Sequence, residues 1–536
     1  MTNSSVGFPQ FYQIQQILDR FLGIDVGGTN TDAIILDDQQ HVINSVKRHT
    51  TKDIQTGISN AIQAVLADQA IDLDQISKAM LGTTQITNAI VERKHIARVG
   101  VLRLAYPATE AIPPYTAWPE DLVAKLSGKY AIVKGGYEYD GQVLNELDPE
   151  EINGILAKWR GEVDSIAIIG VFAALRVDQE QAAAELVHAA YSADFPVTVS
   201  HEVGSLGLIE RENAAILNAG LFRVIENTVD GFEQALAASG IKHASLYLTQ
   251  NDGTLMTADY ARHFPILTIG SGPTNSIRGA AYLSHLKNAI VVDIGGTTTD
   301  LGVLQAGFPR ESSIAVSVGG VATNFRMPDI MSIGLGGGSI VRQQQDGSVT
   351  VGPDSVGYKI TDEALTFGGN IITATDIAVR LGLSDVGDPQ LTKQISLKFA
   401  QAALQTISDM IAVAIDKMKT SAEPATVILV GGGAIIAPHR LEGVGKLVRD
   451  PLGGVANAIG ASISQVSGEY GRIYPYNQIP RDKAMADAKE KATVAAIESG
   501  ADETTIEVVE VDEVPLAYHP ENANRVKIKV VGNLAK

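Results

Sequence analysis

Two stretches of this chain carry residues able to hold phosphoryl groups. Residues 21–36 read FLGIDVGGTNTDAIIL, and residues 289–304 read AIVVDIGGTTTDLGVL. In each, an apolar strand runs into Asp-x-Gly-Gly-Thr-x-Thr-Asp and a second apolar strand follows, which predicts a β-hairpin with a Gly-rich turn. Backbone N–H groups at Gly27, Gly28, Gly295 and Gly296 can approach a phosphate because no Cβ stands in the way. Thr29 and Thr31, with Thr297, Thr298 and Thr299, add hydroxyls. Asp25 and Asp293 sit where a carboxylate could hold a divalent cation through water or polarise a nucleophile. One copy would equally suit a plain tight turn; two copies, each between apolar strands, favour a phosphate site. Neither copy is followed by Lys-Ser/Thr, nor does either read G-x-G-x-x-G, so this is not one of the commoner phosphate loops.

Two more Gly clusters extend the set. Ser332-Ile-Gly-Leu-Gly-Gly-Gly-Ser339 follows the second hairpin and adds Gly336, Gly337 and Gly338. Val427-Ile-Leu-Val-Gly-Gly-Gly-Ala434 reads as a buried strand running into Gly431, Gly432 and Gly433. Bare backbone after such a strand can border a flat base or a ribose, although taken alone it also reads as an ordinary strand-to-helix turn.

The elements that must position these residues follow from length and pattern. With 536 residues the chain exceeds the size of a single core, and two or three domains are expected. Residues 1–19 read as a polar leader, 20–280 as a first lobe, 281–470 as a second lobe and 475–536 as a small α+β appendage. In the first lobe, residues 36–50 supply a third strand, 97–104 and 163–175 read as buried strands, and a long helix follows Ser205. Arg211 and Glu212 on that helix face either the cleft or solvent, and His201-Glu202 just before it is equally ambiguous. In the second lobe, apolar residues from Leu397 to Met418 recur at helical spacing and mark a core face.

Composition excludes several function classes. A net charge of −19 repels nucleic acid and anionic membrane surfaces at long range. The absence of cysteine removes thiolate metal sites, disulfide scaffolds and cysteine nucleophiles. The run Ile166 to Leu175 is too short to cross a bilayer, and residues 1–20 lack the apolar core of a signal peptide. The expectation is a soluble cytoplasmic protein with neither nucleic acid nor membrane as partner.

Taken together, the two Asp-x-Gly-x-Thr hairpins and the late Gly-Gly-Gly turn resemble the duplicated, ribonuclease H-like ATPase fold of actin, sugar kinases and Hsp70. More closely, the chain resembles the hydantoinase A/oxoprolinase family over about residues 20–465. The resemblance rests on Leu81-Gly-Thr-Thr-Gln-Ile-Thr-Asn-Ala-Ile-Val-Glu-Arg-Lys94, Thr249-Gln-Asn-Asp-Gly-Thr-Leu-Met256, Ile269-Gly-Ser-Gly-Pro-Thr274, Asp329 to Ser339, and Thr373-Ala-Thr-Asp376. It implies an α/β two-lobe fold, ATP and Mg²⁺ as cofactors, and ATP-dependent opening of a cyclic amide or activation of a related carbonyl compound. It further implies that Asp25 and Asp293 position Mg²⁺, and that the Gly clusters cradle ATP, with Gly431–Gly433 at the adenosine. Asp293, Asp32, Asp300 and Asp329 are the catalytic candidates, the last three on the acceptor side. Gly82, Thr83, Thr84 and Asn88 are the candidate substrate contacts. Family members often carry His at the positions of Leu81 and Met331, and neither Leu nor Met can ligate a metal or accept a proton there.

A hydantoinase B-like partner subunit or a homo-oligomer is the expected assembly. Two rival functions use the same motifs. One is a small-molecule kinase, which leaves the phosphate on its product. The other is an ATP-binding regulatory or scaffold subunit with little turnover.

Overall fold

The computed structural model describes residues 19–535, except 28–29, 50–53, 68–70, 205, 313–315, 326, 464 and 517–521. The first hairpin lies near one edge of a nine-stranded sheet. Strand Arg20–Val26 pairs antiparallel with Asn30–Leu36, which pairs antiparallel with Val42–His49. On its other side Arg20–Val26 runs parallel to Ile76–Thr83, followed by Ser245–Thr249 and Leu255–Thr257. The hairpin strands are buried at every position but the first, as in an α/β sheet covered on both faces by helices.

The second hairpin organises a six-stranded sheet in the same way. Strand Ala289–Ile294 pairs antiparallel with Thr299–Gln305 and runs parallel to Ala425–Val430, which is parallel to Val444–Arg449. Ile330–Ile333 pairs antiparallel with Thr299–Gln305, in the position that Val42–His49 holds in the first sheet. The sequence repeat is therefore a structural repeat, register included: Asp25 lies opposite Asp32, and Asp293 opposite Asp300.

Two features depart from the pattern read in the sequence. First, the C-terminal residues extend the first lobe's own sheet. Gln465–Pro475 joins Leu255–Thr257 in parallel, and Ala523–Asn533 and Glu507–Pro515 continue outward from it. Helix Arg481–Glu498 lays Ala484, Ala488, Ala492 and Ala496 against the same core as Phe21, Ile34 and Met80. The buried pair between Lys529 and Asp252, 2.8 Å apart, ties the outer strands to the loop ahead of Leu255. Second, the first lobe contains another sheet, parallel throughout, of Lys129–Lys134, Val99–Tyr106, Ser165–Gly170 and Val197–Val199.

The 31-residue helix Leu208–Ala238 lies between these layers and is buried around much of its circumference. Its Arg211 and Glu212 consequently face neither cleft nor solvent. Glu212 accepts two hydrogen bonds from Arg103, at 2.7 and 2.6 Å, and Arg211 donates to Ser200 Oγ and to the Gly170 carbonyl. His201 pairs with Glu180 at 2.6 Å, on the same side. An arm of the second lobe, the hairpin Val316–Val318 and Val321–Thr323, reaches across and buries Val318 and Val321 in the first lobe's core.

Candidate functional site

The two lobes meet through two helices in backbone contact. Helix Ser271–Ser284 precedes the second lobe and helix Ala456–Ala461 leaves it. A Cβ added at Gly279 would lie 1.9 Å from the Ala456 carbonyl oxygen, and one at Gly460 would lie 1.8 Å from that of Asn275. This contact needs glycine on both sides. It places Asn275, Ser276 and Asn457 between the two Asp-bearing strands. Asn275 Nδ2 donates to Asp25 Oδ1 at 3.2 Å, and Asn457 Nδ2 to Asp25 Oδ2 at 3.5 Å. Ser276 donates to Asp293 Oδ2 at 2.5 Å and also contacts Asn457 Oδ1. A chain of polar contacts thus links the equivalent aspartates of the two lobes, with the single Ser276 hydroxyl proton shared between Asp293 and Asn457 Oδ1.

Each of these aspartates is admitted by a glycine at the C-terminal end of the neighbouring parallel strand, Gly82 within it and Gly431 just past it. A Cβ at Gly82 would lie 2.4 Å from Asp25 Oδ1, and one at Gly431 would lie 2.2 Å from Asp293 Oδ1. The duplication therefore extends to a glycine partner that the hairpin motif does not contain. Gly82 and Thr83 are buried, with Thr83 Oγ1 accepting from Gln85 N–H. Of the four expected substrate contacts, Thr84 and Asn88 keep exposed surface; Asn88 Nδ2 reaches Thr84 Oγ1 at 3.4 Å.

The Gly loops of the second lobe interlock. Gly337 and Gly338 donate to the carbonyls of Gly295 and Gly296 at 3.0 and 2.8 Å, and Gly433 donates to that of Ile294 at 2.7 Å. A Cβ at Gly336 would lie 2.6 Å from Thr297 N. Thr375 Oγ1 donates to the Gly337 carbonyl at 2.9 Å. Asp376 completes a capping box with Thr373 at the start of helix Ala374–Arg380. The Thr373-Ala-Thr-Asp376 motif is thus a cap that fixes the Gly336–Gly338 loop against the hairpin turn. Thr297 and Thr298 stand exposed at that turn, beside Gly295, Gly296 and Gly432.

In the first hairpin, Gly27 closes the turn by donating to the Asn30 carbonyl at 3.0 Å, as Gly295 does to that of Thr298 at 2.9 Å. The expected contacts Gly28 and Thr29 lie outside the described residues. Thr31 corrects the sequence reading. It is fully buried, as is its counterpart Thr299, whose hydroxyl donates to the Leu335 carbonyl, so neither side chain faces the cleft. Every second residue of a strand points to the opposite face, and these threonines fall on the core side.

Burial governs the carboxylates. Asp25 is pushed up to about 6, chiefly by burial and then by Asp32, while Asn275 and Asn457 pull it back. Asp300 is also pushed up to about 6, by burial first and with Asp293 adding, against the hydrogen bond from Ser332. Asp32 and Asp293 are raised as well, with burial the largest cause. Lys47, on the third strand, donates to both oxygens of Asp32 at 2.6 and 2.5 Å. Asp329 is held away from this group by Arg310, at 2.5 and 3.0 Å, and its backbone N–H donates to the Arg310 carbonyl. Leu81 and Met331 are core residues, Leu81 fully buried and Met331 packed against the second lobe's core.

Sequence reasoning missed Lys47, Asn275, Ser276, Ser332, Asn457 and the role of Gly82. None of them left a local signal; even Lys47 sits among Asn44, Ser45, Arg48 and His49 in a largely polar third strand.

Duplicated hairpin sheets, crossing helices and an aspartate from each lobe at the seam define the actin/sugar-kinase type of ATPase fold. The solved structure of the ATP-dependent caprolactamase from Pseudomonas jessenii superposes with a TM-score of 0.77 at 20% identity, over 95% of this chain and 87% of that one. The hydantoinase/oxoprolinase N-terminal region profile matches residues 21–191 and the hydantoinase/oxoprolinase profile matches residues 211–385. The chain belongs to the hydantoinase/oxoprolinase family. It is 25% identical to the acetophenone carboxylase gamma subunit of Aromatoleum aromaticum over 88% of this chain and 71% of that one. It is 27% identical to the caprolactamase subunit alpha of Pseudomonas jessenii over 67% of this chain and 54% of that one. The latter match thus spans about half of the relative's length.

Proposed function

We propose that this chain is an ATP-dependent enzyme that uses the γ-phosphate to activate a cyclic amide, or a related carbonyl compound, for hydrolysis. The observation that carries this reading is the seam itself: Asp25 and Asp293 linked through Asn457 and Ser276, beside interlocked Gly loops that present Thr297 and Thr298. Membership of the hydantoinase/oxoprolinase family supports the substrate class.

An unstrained amide is a poor electrophile. Its oxygen would attack the γ-phosphorus and ADP would leave. Water then adds to the activated carbon, the ring C–N bond breaks with nitrogen taking a proton, and a second water converts the acyl phosphate to carboxylate and phosphate. The Gly295–Thr298 turn would meet the phosphates with the exposed Thr297 and Thr298, and the Gly336–Gly338 loop, whose N–H groups already donate to Ser339 Oγ and to the Gly295 and Gly296 carbonyls, would brace that turn. Gly431–Gly433 would border the adenosine. Asp300, which accepts a hydrogen bond from Ser332 and is raised to about 6, would accept a proton near neutral pH. Thr84 and Asn88 are the surfaces offered to the acceptor from the first lobe.

The donor set suits Mg²⁺, since Asp25 and Asp293 are hard oxygen ligands. Among the described residues no three His, Cys, Asp or Glu side chains come together as a ready-made metal site. That fits a cation whose shell is completed by phosphate oxygens. When bound, Mg²⁺ would neutralise charge developing on the phosphates.

Among the described residues no helix is long and apolar enough to cross a membrane, and with the acidic balance this supports a cytoplasmic enzyme without nucleic-acid contacts. Relatives named as subunits support a partner chain of the hydantoinase B type. The test is to supply Mg²⁺–ATP with a panel of lactams, hydantoins and ketones, the ketones with bicarbonate, and to identify products. Release of ADP and phosphate with a ring-opened amino acid is expected. A stable phosphoester would make the protein a kinase, and a carboxylated ketone would move it toward its carboxylase relative. No ATP consumption with any of them, with or without a partner, would reject the enzyme reading.

A further inference from the structure

The two hairpins differ at one equivalent position. On the strand flanking each hairpin, the residue opposite the outer aspartate is Lys47 in the first lobe and Ser332 in the second. Lys47 is the cation that faces the carboxylates of the seam. Its ammonium chelates Asp32, and its field reaches Asp25 and Asp293 too. The Lys47 side chain remains 35% exposed while that of Asp32 is 5% exposed, so the ammonium lies at the cleft's edge rather than inside the core. A Cβ on Gly432 would sit 3.9 Å from Lys47 Cε, so this side chain of the first lobe reaches the adenosine-side loop of the second. An ordinary cross-strand ion pair between exposed groups would need none of this.

We propose that Lys47 is a tethered counter-ion that occupies Asp32 in the nucleotide-free protein and is handed to the nucleotide's phosphates when a divalent cation enters the seam. It is a positioning residue. It neutralises the first lobe's outer carboxylate while the cleft is empty of phosphate, and it competes with a metal for that carboxylate. Once phosphate oxygens arrive, the freed ammonium has a nearer anion, and Asp32 is released to the cation's water shell. Ser332 cannot act in this way because it carries no charge, so the exchange belongs to the first lobe alone. This inference rests on the nucleotide site proposed above.

The test is a titration with Mn²⁺ in place of Mg²⁺, followed by the loss of the free ion's paramagnetic resonance signal, without nucleotide and then with ATP, at about pH 8 so that raised carboxylates are ionised. In Lys47→Met, Mn²⁺ without nucleotide should bind about tenfold tighter than in the wild type, because the competing charge is gone, and metal–ATP should bind about tenfold weaker. In Lys47→Arg, whose fork grips a carboxylate bidentately, Mn²⁺ without nucleotide should bind more weakly than in the wild type. A purely structural ion pair would not drive the two metal affinities in opposite directions. Should Lys47→Met fail to fold, the Arg variant alone decides the matter. Metal and metal–ATP affinities that match the wild type in the folded variants would overturn the proposal while leaving the nucleotide site standing. A wild type that binds no metal–ATP at all would take both down.

Discussion

The two hairpins share a register, a turn hydrogen bond and a glycine against the inner aspartate, yet they treat their outer aspartates differently. In the first lobe Asp32 is buried under Lys47; in the second, Asp300 is half-buried and meets only the Ser332 hydroxyl. Duplication supplied two equivalent carboxylate pairs, and the third strand of each sheet made them unequal. The outer aspartate of the first pair carries a cationic partner, and that of the second carries only a neutral hydroxyl. The inner aspartates differ less. Each is held by amide or hydroxyl donors from the crossing helices, so both depend on the same seam.

The largest effects should come from the inner pair. Asp25→Asn and Asp293→Asn should each lower ATP-coupled turnover by about a hundredfold or more, a loss typical of positioned acid–base and phosphate-orienting groups. Initial rates of phosphate release would check this, and a variant of either kind with wild-type turnover would break the equivalence of the lobes. Next come the glycines. Gly431→Ala should destabilise the protein by about 2–4 kcal/mol, because its Cβ would meet both the Asp293 carboxylate and the Ile294 carbonyl, and its φ of +90° disfavours any side chain. Gly82→Ala has no such backbone strain and should cost about 1–2 kcal/mol less, as read from denaturant midpoints.

A third difference concerns pH. Because the Asp25 carboxyl is raised to about 6 in the folded chain from its ordinary value of 3.8, the native state holds the proton more tightly than the unfolded one. That contribution is full below about pH 4 and is lost as pH rises through about 6. Asp25→Asn does not titrate, so relative to the wild type it should gain about 2–3 kcal/mol in unfolding free energy between about pH 4 and 8. An inactive but more stable variant at pH 8 would fit an aspartate strained for function. Equal pH slopes in the two proteins would contradict the assignment. The smallest expected change sharpens the comparison most. Ser332→Lys would give the second lobe the first lobe's counter-ion, and should move the acidic limb of the rate profile down by about one pH unit if Asp300 is the base.

The sequence made the hairpins legible because turn chemistry and apolar strands are local. It also made some helices and strands of both lobes legible through periodicity, Leu397–Met418 among them. What it concealed is non-local. Asn275 and Asn457 reach Asp25 from 250 and 432 residues away. Lys47 meets Asp32 only through a register that includes an irregularity between Ile35 and Leu36. Residues 475–536 read as an appendage because they follow a composition change, yet strand Gln465–Pro475, read as the end of the second lobe, joins them to the first sheet through one long-range strand pair. Arg211 and Glu212 sit on a helix enclosed by two layers, where a charged face becomes a buried network. Asp329, a catalytic candidate by its place before the Gly loop, is committed to Arg310.

The central claim is that both hairpins serve one nucleotide site. The direct measurement is thermal unfolding of the wild type, Asp25→Asn and Asp293→Asn, each with and without Mg²⁺–ATP. At one hundred times its Kd, ligand adds about 2.7 kcal/mol to the native state, a shift of several degrees for domains of this size. A Mg²⁺-dependent shift in the wild type that disappears in both variants is the predicted result. A full shift retained in either variant, or none in the wild type at millimolar ATP, would contradict it.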